Sequence, residues 1–226
     1  MTCWLHQQGF SYKKPSVVPG KADQNAQQQW INEYEKLKQT LQPGETICFL
    51  DGVHPTHNTK PSYGWIRKGM VKSIRTNTGR RRLNLSGALD IFSKTVVIQE
   101  DITLDTSTTV AFLKRLESAY PEAKKVYLFC DNARYYKNKV VQAYLTTSKL
   151  EMRFLPPYSP NLNPIERLWK FMNEAVLYNK YYETYSAFRD AVLGFLEGLN
   201  ETTKETRIAL ERRLTDRFRV VEGVPS

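Results

Sequence analysis

Long apolar runs are absent from this sequence of 226 residues. Nothing approaches the roughly 18 consecutive apolar residues that a membrane-spanning helix requires. Met1 to Phe10 carry neither a basic start nor the apolar stretch of a secretory leader. Cysteine is scarce, odd in number and scattered, so Cys3, Cys48 and Cys130 offer no disulfide framework. Cys48 and Cys130 sit inside apolar runs, where buried, reduced thiols are expected. These features describe a soluble, cytoplasmic-type chain. His54 and His57 lie three apart with Cys48 nearby, but no second Cys/His pair completes the four ligands of a structural zinc site. There is no Gly-x-x-x-x-Gly-Lys-Ser/Thr run to cradle a phosphate and no Gly-x-Ser-x-Gly elbow for a serine nucleophile. Repeats and low-complexity tracts are missing too. With 41% hydrophobic and 12% aromatic residues the chain is too apolar to stay disordered, and it is long enough for one large or two small domains.

The most telling absence is local. Between Asp51 and Asp90 there is no acidic residue, whereas Lys60, Arg67, Lys68, Lys72, Arg75, Arg80, Arg81 and Arg82 all fall there. They account for much of a formal net charge of +10, which favours polyanionic partners such as nucleic acid. Uncompensated cations repel one another unless solvent or a phosphate backbone screens them. A solvated basic loop and a DNA contact are both open readings, with Arg67, Lys68, Arg80, Arg81 and Arg82 the candidate DNA contacts. From Glu201 onward the signs are mixed, six Lys/Arg against five Asp/Glu. That stretch reads as an exposed helix around an apolar line Ile208, Leu214 and Phe218.

The element order follows from periodicity and punctuation. Trp30 to Leu41 is helix-like and ends at Pro43-Gly44. Ile47–Leu50 is a wholly apolar run, as in a strand covered on both faces, and ends in Asp51-Gly52. Leu83–Asp90 and Thr95–Glu100 are further strand candidates. Asp105 is a good N-cap for a helix with Val110, Leu113, Leu116 and Tyr120 on one side. Val126–Cys130 is a second apolar strand, followed by a helix from about Lys137 to Ser148 and a strand from Met152 to Leu155. A helix begins near Pro164. The order β-β-β-α-β-α-β-α describes an α/β fold, a mixed five-stranded sheet flanked by helices.

Two strands end alike, in an aspartate followed by Gly or Asn: Asp51 and Asp131. At the carboxyl ends of neighbouring strands two carboxylates would raise each other's pKa unless a cation lay between them, and a hard divalent ion suits such oxygen donors. Each aspartate could equally be a turn former. Glu166 is the third candidate. Asn163-Pro164-Ile165-Glu166 has the form of an N-cap, a first-turn proline and a capping-box glutamate, so cap and ligand both remain open. The stripe Ile165, Leu168, Trp169, Met172 and Val176 is expected to pack this helix on the sheet, with Glu166 at its edge.

The run from Leu155 to Trp169, Leu-Pro-Pro-Tyr-Ser-Pro-Asn-Leu-Asn-Pro-Ile-Glu-Arg-Leu-Trp, resembles the signature segment of DDE transposases of the mariner-like superfamily, in particular their bacterial insertion-sequence branch. Asp131-Asn132-Ala133-Arg134-Tyr135 resembles that family's second acidic motif, and Phe49-Leu50-Asp51-Gly52-Val53-His54 its first. Between Asp131 and Glu166 lie 34 residues, the spacing of that branch, and the resemblance extends from about Trp4 to about Leu196. Tyr136 departs from the pattern, standing where many relatives carry a histidine.

The resemblance implies a ribonuclease-H-like fold in which Asp51, Asp131 and Glu166 are the catalytic, metal-binding triad. It implies two Mg²⁺ or Mn²⁺ ions per active site acting in two-metal phosphoryl transfer. Water would cut at the element's ends, and the freed 3′-hydroxyl would join to target DNA. The implied partner is double-stranded DNA, the implied assembly a homodimer, and the implied location the bacterial cytoplasm at the nucleoid. Trp4 to Pro15 looks like the last part of a helix-turn-helix module. The expected organisation is therefore 1–25 as a remnant and linker, 26–200 as the catalytic domain and 201–226 as a mixed-charge helical tail. An inactive DNA-binding or dimerising remnant of a transposase is the alternative.

Overall fold

Strand pairing fixes the architecture. The computed structural model describes residues 2–12, 19–77, 81–200 and 203–221. A short helix α1 (Thr2–Gln7) and a long helix α2 (Gln24–Thr40) precede strands β1 (Glu45–Val53), β2 (Asn84–Asp90) and β3 (Val96–Asp101). Helix α3 (Thr106–Ala119), β4 (Lys125–Cys130), α4 (Lys139–Leu145) and β5 (Leu150–Phe154) alternate after them. Helices α5 (Ile165–Met172), α6 (Tyr185–Gly198) and α7 (Lys204–Arg213) complete the order. The sheet runs β3-β2-β1-β4-β5, antiparallel across its first two pairings and parallel across the others. A long excursion joins β1 to β2 and a short hairpin-like connection joins β2 to β3 in the antiparallel half, and helix-containing crossovers build the parallel half.

Both faces of the sheet are covered, and period-two alternation divides β1 between them. Ile47 and Phe49 face a core shared with α2, α5 and α6, whereas Cys48 and Leu50 face one shared with α3 and α4. All four are fully buried, which is why the run is continuously apolar. Cys48 and Cys130 are buried free thiols, as their surroundings in the sequence suggest.

Several boundaries differ from the sequence reading for identifiable reasons. Helix α2 begins six residues before Trp30, because Asp23 caps it by accepting from the amides of Asn25 and Ala26. Its first turns are Gln-rich and give no apolar signal, yet Gln27 is fully buried and accepts from Asn161 Nδ2 and the Val221 amide. Strand β1 continues through Asp51 to Val53, so Asp51 lies within a strand and is not its terminal turn former. Asp105 caps α3 with the expected bonds to Ser107 and Thr108.

Helix α5 is only eight residues long and passes into one wide π-helical turn, Asn173–Leu177. From α7 onward the chain does not stay in solvent. Leu210 and Leu214 are buried, and Phe218 packs among Trp30, Tyr34 and Phe49 with ring centroids 5.0–5.9 Å apart. Ile208, expected on the apolar line, stands 40% exposed, and Leu210 takes its place. Among the described residues, no helix is long and apolar enough to cross a membrane.

Candidate active site

Alternation and register bring the acids together. In β1 the odd-numbered side chains point toward α5, and in β4 so does Phe129. The same alternation turns Asp51 and Asp131 to that face. The parallel register pairs Phe49 with Phe129, and carried two residues further it sets Asp51 beside Asp131. Asp131, just past β4, also accepts from the Ala133 amide at 3.0 Å, so the turn-forming role expected of a strand-end aspartate is present as well.

Glu166 arrives from the first turn of α5. The capping box does not form, because the helix start carries no side-chain cap bond. Asn163 instead donates Nδ2 to the Leu50 carbonyl at 3.1 Å, leaving Glu166 released from any cap. Asp51, Asp131, Glu166 and Asn163 line one cavity of about 470 Å³ together with the Pro156–Pro160 loop. Tyr158 in that loop holds a left-handed backbone, φ 56°, which a non-glycine residue adopts only when its surroundings impose it. The prolines on either side provide that constraint.

The electrostatics are those of crowded acids. Burial, then the Glu166 charge and to a lesser degree Asp131, push the Asp51 carboxyl up to about 7. The indole of Trp169, which donates to Asp51 Oδ2 at 2.9 Å, works against that rise. Glu166 is raised by burial and then by Asp131. Among the described residues no lysine or arginine lines the cavity. Asn163 Oδ1 is buried there without a hydrogen-bond donor, which adds a neutral oxygen acceptor beside the acids.

The donor set is therefore all oxygen, which fits Mg²⁺ or Mn²⁺ and does not suit zinc. His54 and His57 are engaged elsewhere, with Asn84 and with the Tyr182 carbonyl. Among the described residues no three acidic, histidine or cysteine side chains lie close enough to cage one ion. Mg²⁺ needs only one or two carboxylates when water and phosphate oxygens complete its shell. A larger cavity of about 640 Å³ lies along the free edge of β3 between α3 and α6, away from these acids.

The basic interval forms a long excursion between β1 and β2. Arg67 and Lys68 stand exposed on it, beside the fully exposed side chains of Tyr63 and Trp65. Arg81 and Arg82 lie at its return; the Arg81 guanidinium stacks 4.1 Å from the Tyr185 ring, and Arg82 bridges to Thr56. Arg80 lies outside the described residues. Lys60 is tied to Asn173 at 3.0 Å. Among the described residues none of these cations is in an ion pair, so no acid neutralises them.

Sequence reading missed two contributors. Trp169 had only the role of a packing residue, although its place three positions after Glu166 puts both on one helix face. Gly87 carried no signal at all. It is the cross-strand partner of Asp51, and a methyl group there would come within 2.4 Å of the Trp169 ring.

A 3-2-1-4-5 sheet with acids at its central strands and a third on the following helix defines a ribonuclease-H-like enzyme fold. A family model described as DDE superfamily endonuclease matches residues 46–189, and the chain belongs to that family. A winged helix-turn-helix model matches residues 1–34. Part of that match falls on α2, whose Trp30 and Tyr34 lie in the main core.

The chain is 23% identical over 195 residues to the "Insertion element IS630 uncharacterized 39 kDa protein" of Shigella sonnei, covering 86% of this chain and 57% of that protein. It is 28% identical over 81 residues to "Uncharacterized protein y4pE/y4sA" of Sinorhizobium fredii, 36% of this chain and 58% of that one. It thus spans little more than half the length of these relatives. Among solved structures, the Mos1 transposase paired-end complex with left transposon end superposes with a TM-score of 0.66 at 18% identity, covering 96% of this chain and 67% of that one. The catalytic domain of Mos1 mariner transposase gives a TM-score of 0.55 at 15% identity, covering 88% and 92%. These likenesses establish the shared fold. Mos1 paired-end complexes were solved with Mn and with Mg.

Proposed function

We propose that this chain is the catalytic part of an insertion-element transposase, cleaving DNA at the element's ends and joining them to target DNA. The observation that carries the reading is the meeting of Asp51, Asp131 and Glu166 on one cavity that, among the described residues, no lysine or arginine lines. In this reading the three carboxylates hold two Mg²⁺ or Mn²⁺ ions. Bound there, the ions supply activation of the attacking oxygen and stabilisation of the leaving oxygen in an in-line phosphoryl transfer. Asp51 on β1 and Asp131 just past the end of the adjacent β4 set the spacing of the ligands. Glu166 reaches them from α5, and the stiff Pro156–Pro160 segment limits where that helix can begin.

The substrate is double-stranded DNA held by its backbone. Arg67, Lys68, Arg80, Arg81 and Arg82 contribute the cationic contacts, with the exposed pair Arg67 and Lys68 the foremost of them. Residues 1–25 belong to a helix-turn-helix module and its linker, 26–200 form the catalytic domain and 201–226 the tail. The working assembly is a homodimer, one copy for each element end, in the bacterial cytoplasm at the nucleoid.

The test is nicking and strand transfer on DNA carrying the element's ends, in Mg²⁺ or Mn²⁺. Wild type is expected to cut and join, and Asp131→Ala to lose both while keeping its thermal unfolding midpoint. Equal cutting by Asp131→Ala overturns the triad. A wild-type chain that binds DNA but never cuts, even with a helix-turn-helix module supplied, points instead to a DNA-binding remnant.

A further inference from the structure

Asp51 is held by a side-chain donor from another element, and the residues that hold it are not acids. Trp169 is buried, 3% exposed, and its Nε1 donates to Asp51 Oδ2 at 2.9 Å. The far edge of the same indole lies over Gly87 on β2. A Cβ at Gly87 would stand 2.4 Å from the ring's Cη2, 2.7 Å from Cζ2 and 3.2 Å from the Ile98 side chain. Real carbon atoms do not approach so closely, so the glycine is required for room. Its backbone is not among those with positive φ, so conformational freedom is not the reason for it. Gly87 is also the residue directly opposite Asp51 in the β1–β2 register.

We propose that Trp169 and Gly87 are positioning residues of the active site, acting as one device that orients the Asp51 carboxylate for metal binding. The inference rests on the reading of Asp51 as a metal ligand. A carboxylate can rotate about its side-chain bonds, and a ligand that must be ordered on binding loses affinity through that ordering. A rigid indole donor anchored to one oxygen removes the rotation beforehand. The indole in turn can lie at the right height only because β2 carries no side chain at that level. Partners of ligand carboxylates typically contribute 10–100-fold to metal affinity or activity. Glu166 and Trp169 share the face of α5 turned to the sheet, so one helix delivers both a ligand and the group that orients another ligand.

The experiment uses the full chain, with Mn²⁺ alone as calorimetric probe and Mg²⁺ alone as NMR probe. Trp169→Phe, which keeps most of the ring and removes the N–H, is expected to weaken Mn²⁺ binding 10–100-fold. Gly87→Ala is expected to do the same by displacing the indole. In the Trp169→Phe background Gly87→Ala should add nothing, because the shorter ring vacates the space. In the ¹⁵N spectrum of the wild type, Mg²⁺ should shift the Trp169 indole resonance saturably and leave those of Trp4, Trp30 and Trp65 in place.

Two outcomes separate the inference from the reading beneath it. If Asp51→Ala binds Mn²⁺ as tightly as wild type, the ligand reading itself fails. If Asp51→Ala abolishes binding while both Trp169→Phe and Gly87→Ala bind normally, the positioning device alone is overturned. Should either variant not fold, the wild-type spectrum still decides: an unmoved Trp169 resonance at saturating Mg²⁺ refutes the proposal.

Discussion

Asn163 and the Leu50 carbonyl, 3.1 Å apart, join the start of helix α5 to strand β1 immediately before Asp51. The pairing of β1 with β4 ends one residue earlier, at Phe49 and Phe129. Just beyond the end of that ladder Asp51 and Asp131 line the cavity, and the amide of Asn163 supplies the Leu50 carbonyl with a donor. The bond therefore satisfies a buried backbone group and sets the distance of Glu166 from the aspartates.

Replacing Asn163 by Ala leaves that carbonyl without its donor. The expected cost is about 1–3 kcal/mol, read as a lowered midpoint in urea unfolding. DNA cleavage should fall further than the lost stability accounts for, because Glu166 is no longer held in register. Unchanged stability and unchanged cleavage together would show that α5 is positioned by its apolar stripe alone.

The raised Asp51 carboxyl makes the metal-free protein sensitive to pH. Its folded-state value is about 7 against an ordinary 3.8, so the folded chain holds this proton more tightly than the unfolded one. A carboxyl shifted upward favours folding at low pH, and that advantage is lost as pH rises from about 4 through 7. Without divalent metal, Asp51→Asn should flatten this part of the stability profile and be more stable than wild type at pH 8. The amide oxygen can still accept from Trp169, so the comparison isolates the charge. Thermal unfolding in EDTA across pH 4–8 measures it; parallel profiles for the two proteins would refute the assignment.

The C-terminal strap contributes to the core. Asp216 accepts from the Tyr34 hydroxyl at 2.9 Å and pairs with Lys38, and two residues on, Phe218 closes the aromatic cluster over β1. Phe218→Ala is expected to destabilise by about 3 kcal/mol, the low end for a large aromatic because this ring is only partly buried. Asp216→Ala should also remove stability at neutral pH. The pairing holds the Asp216 carboxyl below its ordinary value, so the contribution is present above that value and is lost as pH falls through the lowered one. Chemical denaturation of both variants checks the pair.

Among the described residues no acid pairs with Arg67 or Lys68. If they meet DNA phosphates, changing both to Ala should reduce the slope of log affinity against log salt by about 2, with little change in folding stability. Arg81→Ala should behave differently, since its guanidinium packs on Tyr185 and its removal costs about 0.5–1 kcal/mol of stability. An unaltered salt slope in the double variant would return the excursion to a solvated loop.

Much of the fold was legible because local rules and global packing agree. The apolar runs at Ile47–Leu50 and Val126–Cys130 became the two central strands, and Asp105 capped the helix it was expected to cap. Where the rules compete, the sequence misled. Asn163 and Glu166 satisfy every local requirement of a capping box, yet a buried carbonyl on a distant strand claims Asn163 first. Gln27 looks like a surface residue and is fully buried, because Asn161 and the returning C-terminus bring it partners.

The amino-acid sequence alone determined the strand cores and their order, since burial of β-branched and aromatic residues is written in local composition, and its resemblance to a known family singled out the three candidate acids. Tertiary structure alone decided how the acids are held. Which carboxylate is fixed, by which donor and with what room depends on Gly87, Trp169 and Asp51 meeting at one level of the sheet. No local pattern records that meeting: the three lie on two strands and a helix, and only the register and the packing of α5 bring them into contact.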